Sequence, residues 1–447
     1  MDESDIRYLA RTIASDIHIF VTRDLHLLDI ANEIYDNFSL SIIHPQNLII
    51  QLDELCRKPE YQPVRLSGTS LKKNRIELGQ KSILNDLFQA YNQGETKDKF
   101  QQRLLRFIAE PDKFECFVVM EEENKILAVI VYDRHKKHEL EIPMLRVGDS
   151  PVSATLTRHL ILHSISLSAS ENRQFTRITD PYLQEIVTTA IHEDTFVRVD
   201  GGYLRANLAV AETASELSMR LTTLAANFGQ EYNFCQKFAE IMTSDGSTSD
   251  TQTMAQIERT LWPAKVTDAD IPIFIFPIEP KWAMDLFDEK LANQTLFGAK
   301  TELAFNREAV YYKTVTHAKK LQAPSRILWY VSQDNAFCGV QKIRGCSLIE
   351  EANIGKPQDL YQRFQRLGVY KLADILKITT NTNGNIMAIR FSHTELFNSP
   401  IDLKNVQEIL KNKWTFQGIL QINKTHFNQL YNLGKKNPES TGEENAW

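Results

Sequence analysis

Cysteine is scarce in this 447-residue sequence, with five scattered at Cys56, Cys116, Cys235, Cys338 and Cys346. No pair has CxxC spacing and the number is odd, which excludes a zinc ribbon or a disulfide framework as the organising device. They read as buried, reduced thiols. Apolar runs are short, none reaching the roughly 18–20 residues that a membrane-spanning helix needs. The opening MDESDIRYLA is acidic, whereas an export signal opens basic and turns apolar. The expectation is a cytoplasmic chain with no membrane partner. Internal repeats are lacking too. The composition, 43% hydrophobic and 24% charged, is that of a globular protein, and the length exceeds what one core serves, so several domains are expected.

Charge is uneven. Residues 1–261 carry 28 Lys and Arg against 38 Asp and Glu, while residues 262–435 carry 22 against 16. A basic C-terminal third beside an acidic remainder suggests a polyanionic partner for that third.

The patterning predicts an α/β and α+β multidomain chain. To about Cys56 it reads helix, strand (18–22), helix (25–38) and strand (39–45), an alternation that builds a parallel sheet. A polar stretch (57–63) precedes a module at 62–209. There a strand near 64–66 and helices near 83–91 and 97–109 lead into strands at 116–122, 126–133 and 139–147. A helix (154–169), strand (175–179), helix (182–192) and two strands (196–200, 203–209) follow. Residues 210–260 read as helix and small-polar linker, with TSDGSTSDTQT at 243–253 too polar to pack. A last domain spans 261–434, with strands at 271–278, 326–332, 338–349 and 386–392. The tail 435–447 reads as disordered.

The element order over 62–209 resembles that of GNAT-type N-acetyltransferases, a mixed sheet flanked by helices. The resemblance implies acetyl-CoA as cofactor and an amine acceptor that the residues do not identify. The strand 139–147 and the helix start after it would hold the cofactor, through Leu145, Arg146, Val147, Ser150, Ser153, Ala154, Thr155 and Arg158. A helix N-terminus suits a pyrophosphate. The family's two loop glycines are replaced by Pro151, which has no N–H, and Ser153; the alternative is an ordinary turn capped by Ser153. Ile191 stands where the family's Tyr acid is expected, leaving His192 and Tyr182 as acid or base candidates. His192 also fits a simple helix-dipole partner.

The segment 5–24 resembles the second half of PIN-domain ribonucleases through Asp5 and Thr22-Arg23-Asp24. This implies an incomplete Mg²⁺ or Mn²⁺ site at Asp5 and Asp24, with a protein partner supplying the other half; the alternative is two solvated aspartates. The stretch around Gly298, Lys300, Glu302 and Arg307, with the later Tyr330 and Ser332, resembles PUA-like β-barrels of the ASCH kind. That implies an RNA surface from Lys300, Arg307, Lys313, Lys342 and Arg344, with Tyr311, Tyr312 or Trp329 for stacking. The alternative places those aromatics in the core.

Two functions follow. One is an acyl-CoA-dependent N-acyltransferase with a C-terminal RNA-binding-type module, in a toxin–antitoxin or nucleic-acid-regulatory setting. The other is a non-catalytic RNA- or protein-binding regulator that completes a split PIN ribonuclease.

Overall fold

The computed structural model describes residues 3–15, 17, 19–38, 40–45, 48, 71–76, 78–121, 125–244, 246–288, 291, 308–315, 321–334, 337–367, 369–370, 372–378, 384–413 and 418–436. The chain divides into two units, Met1–Glu60 and Tyr61–Trp447.

In the smaller unit, α1 (Glu3–Ala14) leads to β1 (Ile19–Val21), and α2 (Leu25–Asp29) and α3 (Ala31–Phe38) lead to β2 (Ser41–Ile43). The strands pair in parallel, Ile19 opposite Ser41, as the alternation predicted, because a parallel return requires a crossover. Leu9, Leu27, Leu40 and Ile42 form the small core.

The larger unit begins with β3 (Lys72–Arg75), α4 (Lys81–Phe88), α5 (Lys97–Ala109), β4 (Phe114–Met120), β5 (Ile126–Asp133) and β6 (Glu139–Val147). It continues through α6 (Ser153–Ser170), β7 (Phe175–Ile178), α7 (Glu185–Glu193), β8 (Val197–Val199) and β9 (Gly202–Ala206). The strands form one sheet in the order β3-β4-β5-β6-β7-β9-β8. β3 to β6 are antiparallel, and β6 to β7 is parallel. The expected strand at 64–66 lies outside the described residues, and Lys72–Arg75 is the strand that pairs with β4. Side-chain alternation sorts the two faces. Val118, Val129, Val131 and Met144 pack with Leu84 and Phe88 of α4 and Phe100, Leu104 and Phe107 of α5. Val119, Ala128, Ile130 and Ile142 pack with Leu156, Leu160 and Val187 of α6 and α7. β5 is buried from Ile126 to Tyr132, and apolar apart from the Tyr132 hydroxyl, because both of its faces are covered.

Next come β10 (Ala211–Glu212), α8 (Ala214–Phe228), α9 (Phe234–Thr243), α10 (Thr251–Thr260) and β11 (Lys265–Val266). These helices pack into one core with Phe175 and Leu204 of the first sheet and Leu348 of the second. The small-polar run is turn and cap chemistry within that layer. Gly246 takes a left-handed φ of 74°, and the Asp250 carboxylate caps α10 by accepting from Gln252 and Thr253 N–H.

The larger unit goes on through β12 (Ile273–Ile278), α11 (Pro280–Leu286), β13 (Glu308–Thr314), β14 (Ser325–Val331), β15 (Lys342–Gly355), α12 (Pro357–Phe364) and α13 (Leu372–Lys377). It ends with β16 (Ile386–Asp402), α14 (Leu403–Leu410), β17 (Leu420–Ile422) and α15 (Lys424–Lys435). These six strands form one sheet in the order β13-β16-β15-β14-β12-β17. Among the described residues no pairing joins β13 to β17, and the expected closed barrel is not found there. Cross-ties join this sheet to the helical layer: the buried pair Glu258 with Arg326, and the half-buried Arg259 with Glu350 at 2.7 Å. Trp262, part of the first sheet's core, donates its indole N–H to the His393 carbonyl. No described helix is long and apolar enough to cross a membrane.

Candidate active site in a wedge between two parallel strands

β6 pairs with β7 only over Glu139–Ile142 against Phe175–Ile178. One further bond, from Thr179 N–H to the Ile142 carbonyl, closes the ladder, and there the strands part. β6 runs on to Val147, still paired with β5 on its other side. The wedge-facing edge of residues 143–147 therefore offers backbone groups with no strand to satisfy them, and buried groups of that kind require partners.

Side chains fill that role. Arg103 of α5 donates to the Pro143 carbonyl at 2.7 Å. Leu145 N–H donates to the Asp180 carboxylate at 3.1 Å. Val147 is met at two points by Gln184, whose amide oxygen accepts from Val147 N–H and whose amide nitrogen donates to the Val147 carbonyl, both at 2.8 Å. Sequence reasoning missed Asp180 and Gln184 because both lie between β7 and α7, where only folding brings them to β6.

The inner end of the wedge holds four charges. Arg146 and Asp180 are fully buried and in direct contact; Arg146 also lies 3.4 Å from Glu95. Arg103, about one-fifth exposed, reaches Glu95 at 2.8 Å and Asp180 at 3.2 Å. Two cations face two anions, so the cluster is neutral overall. Burial pulls the Arg146 guanidinium down to about 10 while Glu95 opposes the shift, so it stays charged at neutral pH. Such a cluster persists in low dielectric only when every partner is present.

The turn before α6 is closed on itself. The Ser153 hydroxyl accepts from Ser150 N–H at 2.7 Å and bonds the Gly148 and Ser150 carbonyls. Ser153 is thus the first helical residue, not the cap; the cap position is Val152, which has no capping side chain. Ala154, Thr155 and Arg158 are buried. Arg158 makes a two-point ion pair with Glu193 of α7, at 2.6 and 2.7 Å. Leu145, Arg146, Val147 and this turn lie close together, but both arginines face carboxylates of the protein.

Tyr182 and His192 lie at opposite ends of the 182–193 segment. Tyr182 precedes α7, which starts at Glu185. It sits at the wedge, with the Arg103 guanidinium 5.5 Å from its ring centre. His192 is exposed in the last turn of α7 and packs edge-on against Tyr203 at 5.6 Å. Ile191 is core.

On the α5 side of the sheet a cleft of about 400 Å³ opens beside the wedge. Its lining includes Arg103, Phe107, Glu141, Pro143, Thr179 and Pro181. Glu141 is a half-buried carboxylate in its lining, accepting from the Thr179 hydroxyl at 2.8 Å. It was not singled out from the sequence, where it is one acid among many.

The remaining predicted site residues that are described make contacts within the protein. Asp24 caps α2, accepting from His26 N–H at 2.8 Å and Leu27 N–H at 3.4 Å. Asp5 is on α1, with its side chain outside the described residues. No metal-type cluster of three or more His, Cys, Asp or Glu occurs among the described residues. Lys300 and Arg307 lie outside them too. Trp329 is fully buried among Phe276, Phe287, Tyr311 and Phe391, and its indole donates to Ser347 at 2.8 Å. Tyr311 and Tyr312 are also core. This corrects the expected stacking surface, because no ring face is left for a base. Arg344 is buried against Asp288. Lys342 pairs with Asp402 at 3.0 Å. Lys313 donates to the Pro277 carbonyl, with burial drawing its amine down to about 8.

No protein-family model matches the sequence, and no curated protein matches it. Solved structures similar to parts of the chain include an ASCH protein from Zymomonas mobilis, with 16% identity over 36% of this chain and 94% of that one, at a TM-score of 0.27. They also include spermidine N-acetyltransferase from Vibrio cholerae in complex with CoA and spermine, with 14% identity over 30% of this chain and 90% of that one, at a TM-score of 0.23. A dodecameric structure of the same Vibrio cholerae enzyme shows 14% identity over 30% and 89%, at 0.22. These are partial similarities, and the functional reading has to stand on the chain's own geometry.

Proposed function

We propose that residues 62–209 form an acyl-CoA-dependent N-acyltransferase module, joined to an ASCH-like domain at 261–434. The observation that carries this reading is the strandless edge of β6 at 143–147, next to a cleft of amine-substrate size. The outer part of that edge already holds an amide, that of Gln184, so it fits the amide-bearing arm of acyl-CoA. Val147, the turn 148–153 and the start of α6 would hold the cofactor, which supplies an activated acyl group.

Within this reading the amine enters by the α5-side cleft, and Glu141 takes its proton, directly or through water. As negative charge develops, backbone N–H groups of the 139–147 strand steady the carbonyl oxygen. Tyr182, beside Arg103 at the wedge, is the proton donor to the departing thiolate; His192 is too far along α7 for that role. A nucleic-acid role for 261–434 rests on its basic balance alone.

A second reading has a specific observation behind it. Asp180 is held by Arg146, Arg103 and two backbone N–H groups at the point where chemistry would occur. On that reading the module is a rigid, non-catalytic regulator, and the smaller unit docks a ribonuclease partner. Titrating acetyl-CoA into the full chain and assaying thiol release with a panel of amines separates the two. Binding with Glu141-dependent thiol release establishes the first; a folded protein without either supports the second.

A further inference from the structure

The Gln184 side chain is placed in an unusual way for its position. It is the N-cap residue of α7, with φ −70° and ψ 151°, a position from which a short polar side chain ordinarily caps its own helix. Gln184 makes no such capping bond. Its side chain reaches back across the wedge to Val147 and makes the paired donor and acceptor contacts there. A primary carboxamide on a bare strand edge presents the same C=O and N–H pair as the amide of an extended acyl carrier arm.

The two occupants of the wedge also differ in how firmly they are held. Asp180 is fully buried and bound by two arginines. Gln184 is only partly buried, and the backbone bonds that start α7, from Val187 and Thr188 N–H to the Gln184 carbonyl, do not involve its side chain. Rotating that side chain away exposes Val147 without unwinding α7.

We infer that Gln184 is a built-in latch on the cofactor slot, occupying the place of a carrier-arm amide until acyl-CoA displaces it; this rests on the acyltransferase reading above. The latch sets the apparent affinity, because cofactor binding has to break two hydrogen bonds before it makes its own. It also selects for ligands that return both bonds, so that CoA, with its amide-bearing arm, displaces Gln184, whereas a nucleotide lacking that arm does not.

The test uses the full chain and isothermal titration with CoA and with 3′-phospho-ADP, which lacks the arm. Gln184→Ser keeps a helix-capping residue while being too short to reach Val147; Gln184→Ala is the second variant, and circular dichroism checks the fold of each. The latch predicts CoA affinity rising on the order of tenfold in both variants, with no comparable gain for 3′-phospho-ADP. Amide exchange at Val147 should quicken in the variants and slow again with CoA. Equal, measurable CoA affinity in wild type and variants would overturn the latch and leave the acyl-CoA reading standing. No CoA binding by any folded variant would overturn both.

Discussion

Arg146 was expected to meet a cofactor phosphate, and its surroundings now predict a different outcome for its removal. In Arg146→Ala, the Asp180 carboxylate loses the contact that neutralises it in a fully buried site, and Glu95 loses one of its two arginine neighbours. Arg103 remains, so one cation faces two buried anions. Removing one partner of a buried ion pair costs about 3–5 kcal/mol, far above the ~0–1 kcal/mol of an exposed pair. Urea denaturation of the full chain, followed by tryptophan fluorescence and circular dichroism, reads the change through the midpoint. Arg146→Met with Asp180→Asn removes one charge of each sign and leaves Arg103 paired with Glu95, so at least half of the loss should return. A loss below about 1 kcal/mol in Arg146→Ala, or no recovery in the double variant, would refute the description of this cluster as a mutually dependent buried unit.

Other expectations follow from neighbouring sites. Glu141→Gln should lower acyl transfer by about 10²–10⁴-fold, the usual contribution of a general base, with acetyl-CoA affinity unchanged; equal turnover would remove Glu141 from the mechanism. Trp329→Ala should cost about 3–5 kcal/mol by opening a cavity among Phe276, Phe287, Tyr311 and Phe391, while Trp329→Phe, which stays folded, should leave RNA retention at any salt concentration unchanged. His163 on α6 is drawn down to about 3 by burial, with Lys73 and His159 adding to the shift. Its native value lies below the unfolded value near 6.5, so the unfolded chain binds the extra proton between those limits. Stability from this group is therefore present above about pH 6.5 and is lost as pH falls toward 3, with a slope of up to ~1.4 kcal/mol per pH unit. His163→Gln should flatten that part of the stability profile, and an unchanged slope would show that other groups carry the acid sensitivity.

Local pattern alone determined much of the central sheet. The strands at 126–133 and 139–147 and the helix at 97–109 have the ranges expected from periodicity, because each carries its own alternating or helical apolar signal. The parallel pairing of β1 with β2 was legible for a similar reason, the alternation of short strands with helices. Residues 243–253 show the limit of composition. Gly, Ser, Thr and Asp serve loose linkers and tight caps alike, and only the core around Met254 and Leu261 decided for caps.

The wedge was beyond the reach of pattern. Leu145, Arg146 and Val147 could be placed on a strand next to a helix, but not the identity of what faces their open edge. That depends on Glu95, Arg103, Asp180 and Gln184, from two other stretches of the chain. The same holds for Trp329 and Arg344, whose residue types suit either an RNA surface or a core. Burial and partner choice are properties of long-range packing. The sequence therefore determined which backbone elements exist, and tertiary contact alone decided that the arginines of the candidate site are spent on internal carboxylates and that its strand edge is occupied.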